Sequence, residues 1–205
     1  MSSLTVVTAA TDSRLVSLDD LKAELGITNN DKDDLLGDLL DQTSAAIESY
    51  LGRRLPVETV TEVMRDDEIP YDDQPVWLRR YPVSSITSIV ADGETLQVSE
   101  YDFDGDDGSV WHVDGDGDAD AWGAIRKLTI TYTAGYSTIP ADIQRATLDF
   151  SKSKYYSQLR DPSMRSEEIP GVIKQEFWVG QVGTEMNGIP SIIASSLDTY
   201  REVKL

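Results

Sequence analysis

Residues 50–63 read YLGRRLPVETVTEV, and within this stretch the sequence changes from a helical to an extended pattern. Gly52 and Pro56 are residues that commonly end helices. Beyond them, Val57, Thr59, Thr61 and Val63 alternate with other residues at a period of two, which is typical of a β-strand. We therefore expect helix before this point and sheet after it, in an α+β fold.

Two helical patterns precede the change. Ser17 can cap a helix over residues 17–25, and Gly26 provides its end. A longer pattern over residues 31–51 places its large apolar residues on one face, namely Leu36, Leu39, Leu40, Ile47, Tyr50 and Leu51. Together they predict an N-terminal helical hairpin.

A small antiparallel β region is predicted over residues 57–133. Asp92-Gly93 supplies the positive φ angles of a tight turn between strands at residues 86–90 and 95–98. Further short strands are expected at residues 76–78, 109–113 and 125–133.

The C-terminal third is predicted to be a long helix followed by an arm. The helix covers residues 140–159, and Asp161-Pro162 ends it. An extended segment over Val172 to Val179 and a final short helix after Pro190 follow. We expect residues 1–160 to form the core and residues 161–205 to form a C-terminal arm with a terminal helix.

The net charge is −19, from 37 acidic and 18 basic residues spread along the chain. Such a charge repels itself at ordinary ionic strength, whereas at molar salt the Debye length falls to about 3 Å and screens the repulsion. We therefore predict a halophilic host, with an ordinary acidic mesophilic protein as the alternative. Duplex DNA is not an expected tight partner, because no stripe of Lys and Arg is present to neutralise phosphates.

Several classes of function have no support in the sequence. The absence of cysteine excludes disulfides, thiolate nucleophiles and Cys-based metal sites. His112 is the only histidine, and no G-x-S-x-G, P-loop or G-x-G-x-x-G motif is present. No stretch approaches the roughly 18 apolar residues of a membrane span, and the first residues lack the pattern of a signal peptide. We expect a soluble protein that is not an enzyme and has no membrane partner.

Aspartates recur at alternate positions between residues 102 and 120, as they do in calcium-binding loops. The candidate metal ligands are Asp102, Asp104, Asp106, Asp114, Asp116 and Asp118. Their spacing is not that of an EF-hand, because Asp107 and Val113 stand where Gly and Glu are required. The prediction is therefore no cofactor, with Ca²⁺ or Mg²⁺ as the candidate ion and a solvated acidic loop as the alternative.

Two parts of the sequence carry residue types that are enriched at protein interfaces. One contains Trp77, Arg79 and Arg80; its alternative interpretation is a strand end whose arginine stems cover apolar surface. The other is the C-terminal arm, which offers little surrounding chain to bury its apolar side chains. The candidate interface residues of the arm are Phe177, Trp178, Ile193, Leu197 and Tyr200.

Short motifs occur in a distinctive order along most of the chain. The N-terminal ones are VSLDDLK at 16–22, DDLL at 33–36 and IESYLGR at 47–53. YPVSSI at 81–86 and ITYTAGYSTIPADI at 130–143 follow, and Ile189-Pro190 precedes Leu197, Tyr200 and Arg201. In this order and spacing the chain resembles the head-to-tail connector, or adaptor, proteins of tailed viruses.

The resemblance implies a structural virion protein without a catalytic site. Such proteins form a ring, commonly of twelve copies, between the portal and the next neck or tail-completion protein, and their C-terminal arm reaches toward the portal. Genome DNA passes through the ring without specific binding. The implied location is the neck of the virion, with assembly in the host cytoplasm. The acidic loop at 102–120 is longer than the family pattern suggests, and this leaves its role open.

Two other functional classes stay open on the sequence alone. One is a calcium-binding β module, whose thermal stability would depend on the ion. The other is an acidic mimic of DNA that occupies a basic protein, in competition with DNA and only at low salt. The spread of the charge and the uncharged aromatic part of the arm argue against the mimic.

Overall fold

The chain divides into two units. The computed structural model describes residues 3–158, 166–169, 173–176 and 188–201. One unit, which we call the β unit, comprises Met1–Asp12 and Arg54–Thr138; the other, the helical unit, comprises Ser13–Arg53 and Ile139–Leu205. The presence of both helices and antiparallel sheets confirms the predicted α+β class. The boundary predicted at residue 160 stays a prediction.

The helical unit contains the predicted N-terminal hairpin. Its described helices are α1 (Leu18–Leu25), α2 (Asp33–Leu51), α3 (Ala141–Gln158) and α4 (Ser191–Leu197). α1 begins where the Ser17 hydroxyl accepts the N–H of Asp20 at 3.1 Å, and it ends at Gly26, whose φ of 69° is readily adopted by glycine. The second helix begins at Asp33 rather than at residue 31, and Leu159 lies outside the described residues.

The core of the helical unit lies between α1, α2 and α3. It buries Val16, Leu21, Leu36, Leu39, Leu40 and Tyr155. A polar pair is buried with them, because the hydroxyls of Thr43 on α2 and Ser151 on α3 lie 2.8 Å apart. The Thr43 hydroxyl also lies 2.9 Å from the Leu39 carbonyl, so these buried groups are satisfied within the protein.

The β unit is built around a five-stranded antiparallel sheet. In chain order its strands are β1 (Ser3–Thr8), β2 (Glu58–Arg65), β3 (Val76–Trp77), β4 (Val83–Ala91), β5 (Glu94–Thr95), β6 (Tyr101–Phe103), β7 (Ser109–His112) and β8 (Lys127–Ala134). The large sheet has the order β1-β2-β8-β4-β5, and a smaller sheet has the order β3-β7-β6. The predicted turn joins β4 to β5, with φ of 49° at Asp92 and 101° at Gly93.

One face of the large sheet packs against the small sheet. The core residues from the large sheet include Val60, Ile89, Leu128, Ile130 and Tyr132, and the small sheet contributes Val76 and Val110. The opposite face of the large sheet carries the other residues of each strand, because side chains alternate across a sheet. We call this second surface the open face.

The structure corrects three details of the predicted sheet. Residues 3–8, to which the sequence analysis assigned no element, form the edge strand β1, and residues 101–103 form β6. The strand expected at 95–98 ends at Thr95. It ends there because residues 98–100 form a helical turn, in which the Gln97 N–H donates to the Glu100 carboxylate at 2.5 Å.

The described part of the C-terminal arm contains an antiparallel pair, β9 (Ser166–Ile169) and β10 (Ile173–Glu176). The extended segment predicted over residues 172–179 is confirmed for residues 173–176, and the remainder lies outside the described residues. The final short helix is also confirmed as α4.

Candidate protein-interaction site

Trp77 is the most exposed residue of the predicted interface cluster on the β unit. It ends the edge strand β3, and 60% of its surface is accessible although its neighbours Val76 and Leu78 are buried in the core. Half of the Arg79 side chain is accessible as well. The structure therefore brings the predicted residues Trp77 and Arg79 to the surface next to a rigid core.

A buried carboxylate fixes the backbone of this cluster. Glu62 on β2 is 1% exposed, and one of its oxygens accepts hydrogen bonds from the Tyr132 hydroxyl at 2.9 Å and from the Arg79 N–H at 3.2 Å. Its other oxygen lies 3.2 Å from Arg79 Nε. The Tyr132 hydroxyl in turn accepts the Arg80 N–H at 3.3 Å. Two successive backbone N–H groups are thus held by side chains of the large sheet.

Burial raises the pKa of two side chains in this network, Glu62 and Tyr132. Loss of hydration raises the pKa of the Glu62 carboxyl above its ordinary value, although the hydrogen bonds and the charge of Arg79 oppose the change. Burial and the neighbouring Glu62 carboxylate also raise the pKa of the Tyr132 hydroxyl. Sequence reasoning missed this network. The signal available in the sequence was that Glu62 lies two residues after the core residue Val60, and therefore on the same face of β2.

Arg80 has an unusual environment. Its Nε is buried and has no hydrogen-bond acceptor within the described part of the chain. Buried N–H groups without an acceptor are rare in folded proteins, and each calls for a specific explanation.

The interface residues predicted in the arm have different positions. Phe177 and Trp178 lie outside the described residues. Ile193 and Leu197 are buried within the helical unit, at 8% and 0% exposure, so they hold α4 in place and do not form its outer surface. The Tyr200 hydroxyl donates to Asp142 on α3 at 3.3 Å. Whether these residues also meet a partner stays a prediction.

The outer surface of α4 presents Ile192, which is 78% exposed and was not predicted. It borders an open groove of about 720 Å³ between α3 and α4, whose other walls include Ala146, Pro190 and Ile193. The rim is polar, because Arg145 pairs with Asp149 at 2.6 Å and with Glu24 at 2.7 Å. The hydrogen bonds and charges of Lys152 and Arg145 hold the pKa of the Glu24 carboxyl below its ordinary value.

Two aspartates of the acidic loop close turns. One oxygen of Asp104 accepts the N–H of Asp106 at 2.8 Å, and one oxygen of Asp114 accepts the N–H groups of Asp116 and Asp118 at 2.9 and 3.1 Å. Asp102, on strand β6, instead accepts the N–H of the next residue, Phe103, at 2.8 Å. Aspartate favours turns through bonds to the N–H two residues on, which accounts for Asp104 and Asp114. Within the described ranges, no three His, Cys, Asp or Glu residues are grouped so that they could hold a metal ion.

His112 lies on β7 in a structural setting. Its Nδ1 is 3.7 Å from Asp120, beyond hydrogen-bonding distance, and its ring centroid is 5.6 Å from that of Trp122. Within the described ranges no serine or threonine hydroxyl forms a hydrogen bond with His112, so the geometry gives no evidence of a nucleophile and base pair. Among the described helices, none has the length and apolar character to span a membrane.

Comparison with known proteins gives one family match and several structural matches. The family model described as head completion protein matches residues 14–203. No curated protein matches the chain. A chain in the neck of an empty gene transfer agent (GTA) particle, computed with C6 symmetry, is 16% identical with a TM-score of 0.60, and the match covers 99% of this chain and 97% of that one.

Two further structures have the same fold. A chain in the neck of a native GTA particle, computed with C12 symmetry, is 17% identical with a TM-score of 0.59, covering 99% of this chain and 97% of that one. A chain of the virion of a native GTA particle is also 17% identical with a TM-score of 0.59, covering 98% and 96%. The shared fold extends over nearly the full length of each chain.

Proposed function

We propose, from the premise that this chain belongs to the head completion protein family, that twelve copies of it form a ring between the portal and the next neck or tail-completion protein. The family match confirms the resemblance to head-to-tail connector proteins that the sequence predicted. The chain is a structural protein of the virion, and its place is the neck. The observation that carries the proposed ring is the match over residues 14–203, supported by the fold shared with neck chains computed with C6 and C12 symmetry.

We call Trp77, Arg79 and Arg80 the Trp77 cluster, and its rigid support favours a role in assembly. Subunits that must fit several neighbours at once benefit from contact residues that are ordered beforehand, since less conformational freedom is then lost on binding. The Glu62 and Tyr132 side chains provide that order by holding the backbone of Arg79 and Arg80. An aromatic ring and an arginine on a rigid support are also the residue types that contribute most to binding energy.

The exposed Trp77 ring and Arg79 side chain are the part of this cluster that a neighbour can reach. We therefore assign the Trp77 cluster to a contact between virion proteins. The C-terminal arm is assigned to the portal on the basis of the family resemblance.

The protein acts without catalysis in this proposal. Its sequence supplies one histidine and no cysteine, and the aspartates of the acidic loop accept hydrogen bonds that close turns. A net charge of −19 would repel DNA at the short distances of a channel, so the genome would pass through the ring without being held.

Quantitative mass spectrometry of purified virus particles tests this function. The expected result is a fixed ratio of one copy of this chain to one copy of the portal subunit. A chain that is absent from particles overturns the proposal altogether. A fixed ratio other than one to one overturns a ring that has as many copies as the portal, while leaving the chain a virion protein.

A further inference from the structure

The open face of the large sheet differs in composition from the rest of the chain. Its central row crosses four strands through Thr5, Thr61, Thr131 and Ser88, which are paired in register. The hydroxyls of Thr61 and Thr131 lie 2.9 Å apart. All four side chains are exposed or half-buried, so this row is surface in the chain as described.

The rows on either side of this central row are also free of charged residues. One row consists of Thr8, Thr59, Thr133 and Ser85. The other consists of Ser3, Val63, Thr129, Val90 and Thr95. Charged residues make up 27% of the chain, yet these thirteen neighbouring positions contain none. A surface of this size without a single carboxylate is the exception in a protein of net charge −19.

The edge of the sheet beside this face is also uncharged. β1 reads SLTVVT and contains neither the lysine nor the proline that commonly protects an edge strand from pairing. Val6 and Val7 on this strand are 44% and 60% exposed. The opposite edge has only the two-residue strand β5, which carries Glu94. The sheet is therefore open to a neighbour on the β1 side.

Two basic residues lie at one end of the open face. Arg65 and Lys127 are opposite each other in the register of β2 and β8, and both are exposed. The chain has only 18 basic residues against 37 acidic ones, so two adjacent cations are uncommon in it, and the Asp92 carboxylate, which accepts the Lys127 N–H at 2.9 Å, lies beside them. A partner that is rich in carboxylates would complement this end while meeting no like charge on the rest of the face.

We propose that the open face and the adjoining edge of β1 bind a second copy of this chain. The inference rests on the proposed ring and names the surface by which the copies meet. Two chains of charge −19 repel each other wherever carboxylates face carboxylates, so close approach is least costly across this uncharged surface. The acidic surface of the second copy supplies the carboxylates that Arg65 and Lys127 fit. A ring requires that the second copy use a different surface, because two copies joined through the same face would close as a dimer.

Thr131→Asp tests the role of charge, with Thr131→Asn as the matched variant of similar shape and no charge. The association of the purified full chain is measured by sedimentation velocity, up to millimolar concentration, at a series of KCl concentrations from about 0.1 M to molar, because molar salt alone would screen the introduced charge. The variants are compared at the lowest salt concentration at which the unmodified chain associates. We expect Thr131→Asp to weaken association at least tenfold, and Thr131→Asn to leave it within about twofold of the unmodified chain. Association that is equally strong in Thr131→Asp overturns the proposed surface.

Crosslinking identifies the occupant of the face. Because the chain has no cysteine, Thr61→Cys provides a unique site for a benzophenone maleimide, and Thr28→Cys on an exposed loop of the helical unit provides the control. Mixing ¹⁴N and ¹⁵N chains distinguishes crosslinks between copies from those within one copy. We expect crosslinks between copies from position 61 and few from position 28.

Three results would contradict the inference in distinguishable ways. Crosslinks from position 61 only to residues of the same chain would mean that the chain covers its own open face. Oligomers that form without a crosslink from position 61 would support the ring and overturn the surface. A chain that stays monomeric at millimolar concentration in molar salt would overturn self-association through this face, while the stoichiometry in particles would still decide the proposed function.

Discussion

Glu62 is the single residue on which the Trp77 cluster most depends, and its raised pKa makes a prediction about pH. In the unfolded chain this carboxyl titrates near its ordinary pKa of 4.5, whereas burial raises its pKa in the folded chain. The folded state therefore holds the proton more tightly, and the contribution of Glu62 to stability falls as pH rises from the unfolded pKa through the folded one. The buried negative charge is what costs free energy above that range.

Glu62→Gln should remove this contribution. We expect the free energy of unfolding of the variant, relative to the unmodified chain, to increase as pH rises above 4.5, by about 1.4 kcal/mol for each pH unit between the two pKa values. Urea unfolding at a series of pH values measures the difference. Glu94→Gln, at an exposed edge position, is the control and should show no such trend. If the difference in unfolding free energy between Glu62→Gln and the unmodified chain does not change with pH, Arg79 fully offsets the effect of burial on the pKa of Glu62.

Tyr132→Phe should destabilise the same network at neutral pH. The substitution removes the hydroxyl that donates to Glu62 and accepts from the Arg80 N–H, while leaving both partners in place. Unsatisfied buried groups of this kind cost about 1–3 kcal/mol. We expect a loss of that size in chemical unfolding, and a smaller loss when Tyr132→Phe is introduced into the Glu62→Gln variant than when it is introduced into the unmodified chain. Strictly additive losses would show that the two side chains are not coupled.

At the scale of elements, α4 is held to the rest of the helical unit by polar as well as apolar contacts. The Tyr50 hydroxyl on α2 donates to Asp198 at 2.5 Å, and the Arg201 guanidinium lies 5.3 Å from the centre of the Tyr50 ring. The neighbouring carboxylate raises the pKa of Tyr50, so this hydrogen bond persists to alkaline pH. The segment directly after α4 is thus tied to α2 through Tyr50.

Tyr50→Phe should loosen this end selectively. Loss of one such hydrogen bond to a charged acceptor costs roughly 1.5–3 kcal/mol. Hydrogen exchange is the measurement, and we expect faster exchange in peptides from residues 191–200 with little change in those of β2 and β8. Tyr156→Phe is a suitable control because Tyr156 is 47% exposed on the same unit. Equal exchange in both variants would mean that the apolar contacts of Ile193 and Leu197 suffice.

The elements predicted from sequence are those whose signals are local. α1 was predicted because Ser17 and Gly26 lie next to it, and the β4–β5 hairpin because Asp92-Gly93 determines its own turn. β1 was missed because its stability comes from pairing with β2, more than fifty residues away in the chain. Ile193 and Leu197, whose contact with a partner stays a prediction, are buried within the helical unit, and residue spacing alone does not reveal this burial.

The functional prediction succeeded for a related reason. Motif order over most of the chain indicated the family, and the family match confirms it. The Glu62–Tyr132–Arg79 network could not be predicted, because its members come from three separate strands or loops and meet only in the folded sheet. The predicted halophilic host stays a prediction.

At the scale of the whole molecule, Trp77 should matter for assembly and not for folding. Its side chain is 60% exposed, so Trp77→Ala should leave the melting temperature nearly unchanged. If the ring or its partners bind there, the substitution should cost about 2 kcal/mol or more, roughly thirtyfold in affinity. The copy number of the variant in particles measures this effect. Val98→Ala, at an 80% exposed residue of the same unit, should be incorporated normally.

The charge of the whole chain determines its response to salt. A net charge of −19 opposes the folded state most strongly at low ionic strength, where the Debye length is about 30 Å, and least at molar salt, where it is about 3 Å. We expect the melting temperature to rise with KCl, by about 2–4 °C for each kcal/mol of repulsion that is screened. Circular dichroism measures this rise at a series of KCl concentrations.

CaCl₂ at matched ionic strength distinguishes general screening from a specific ion site. The oxygens of Asp104 and Asp114 that accept backbone N–H groups already stabilise their turns, so we expect Ca²⁺ to raise the melting temperature no more than its charge-screening effect requires. An additional rise that a chelator reverses would instead identify the acidic loop as a cation site. That result would leave the ring intact and add an ion to it, because the loop and the open face of the sheet consist of different residues.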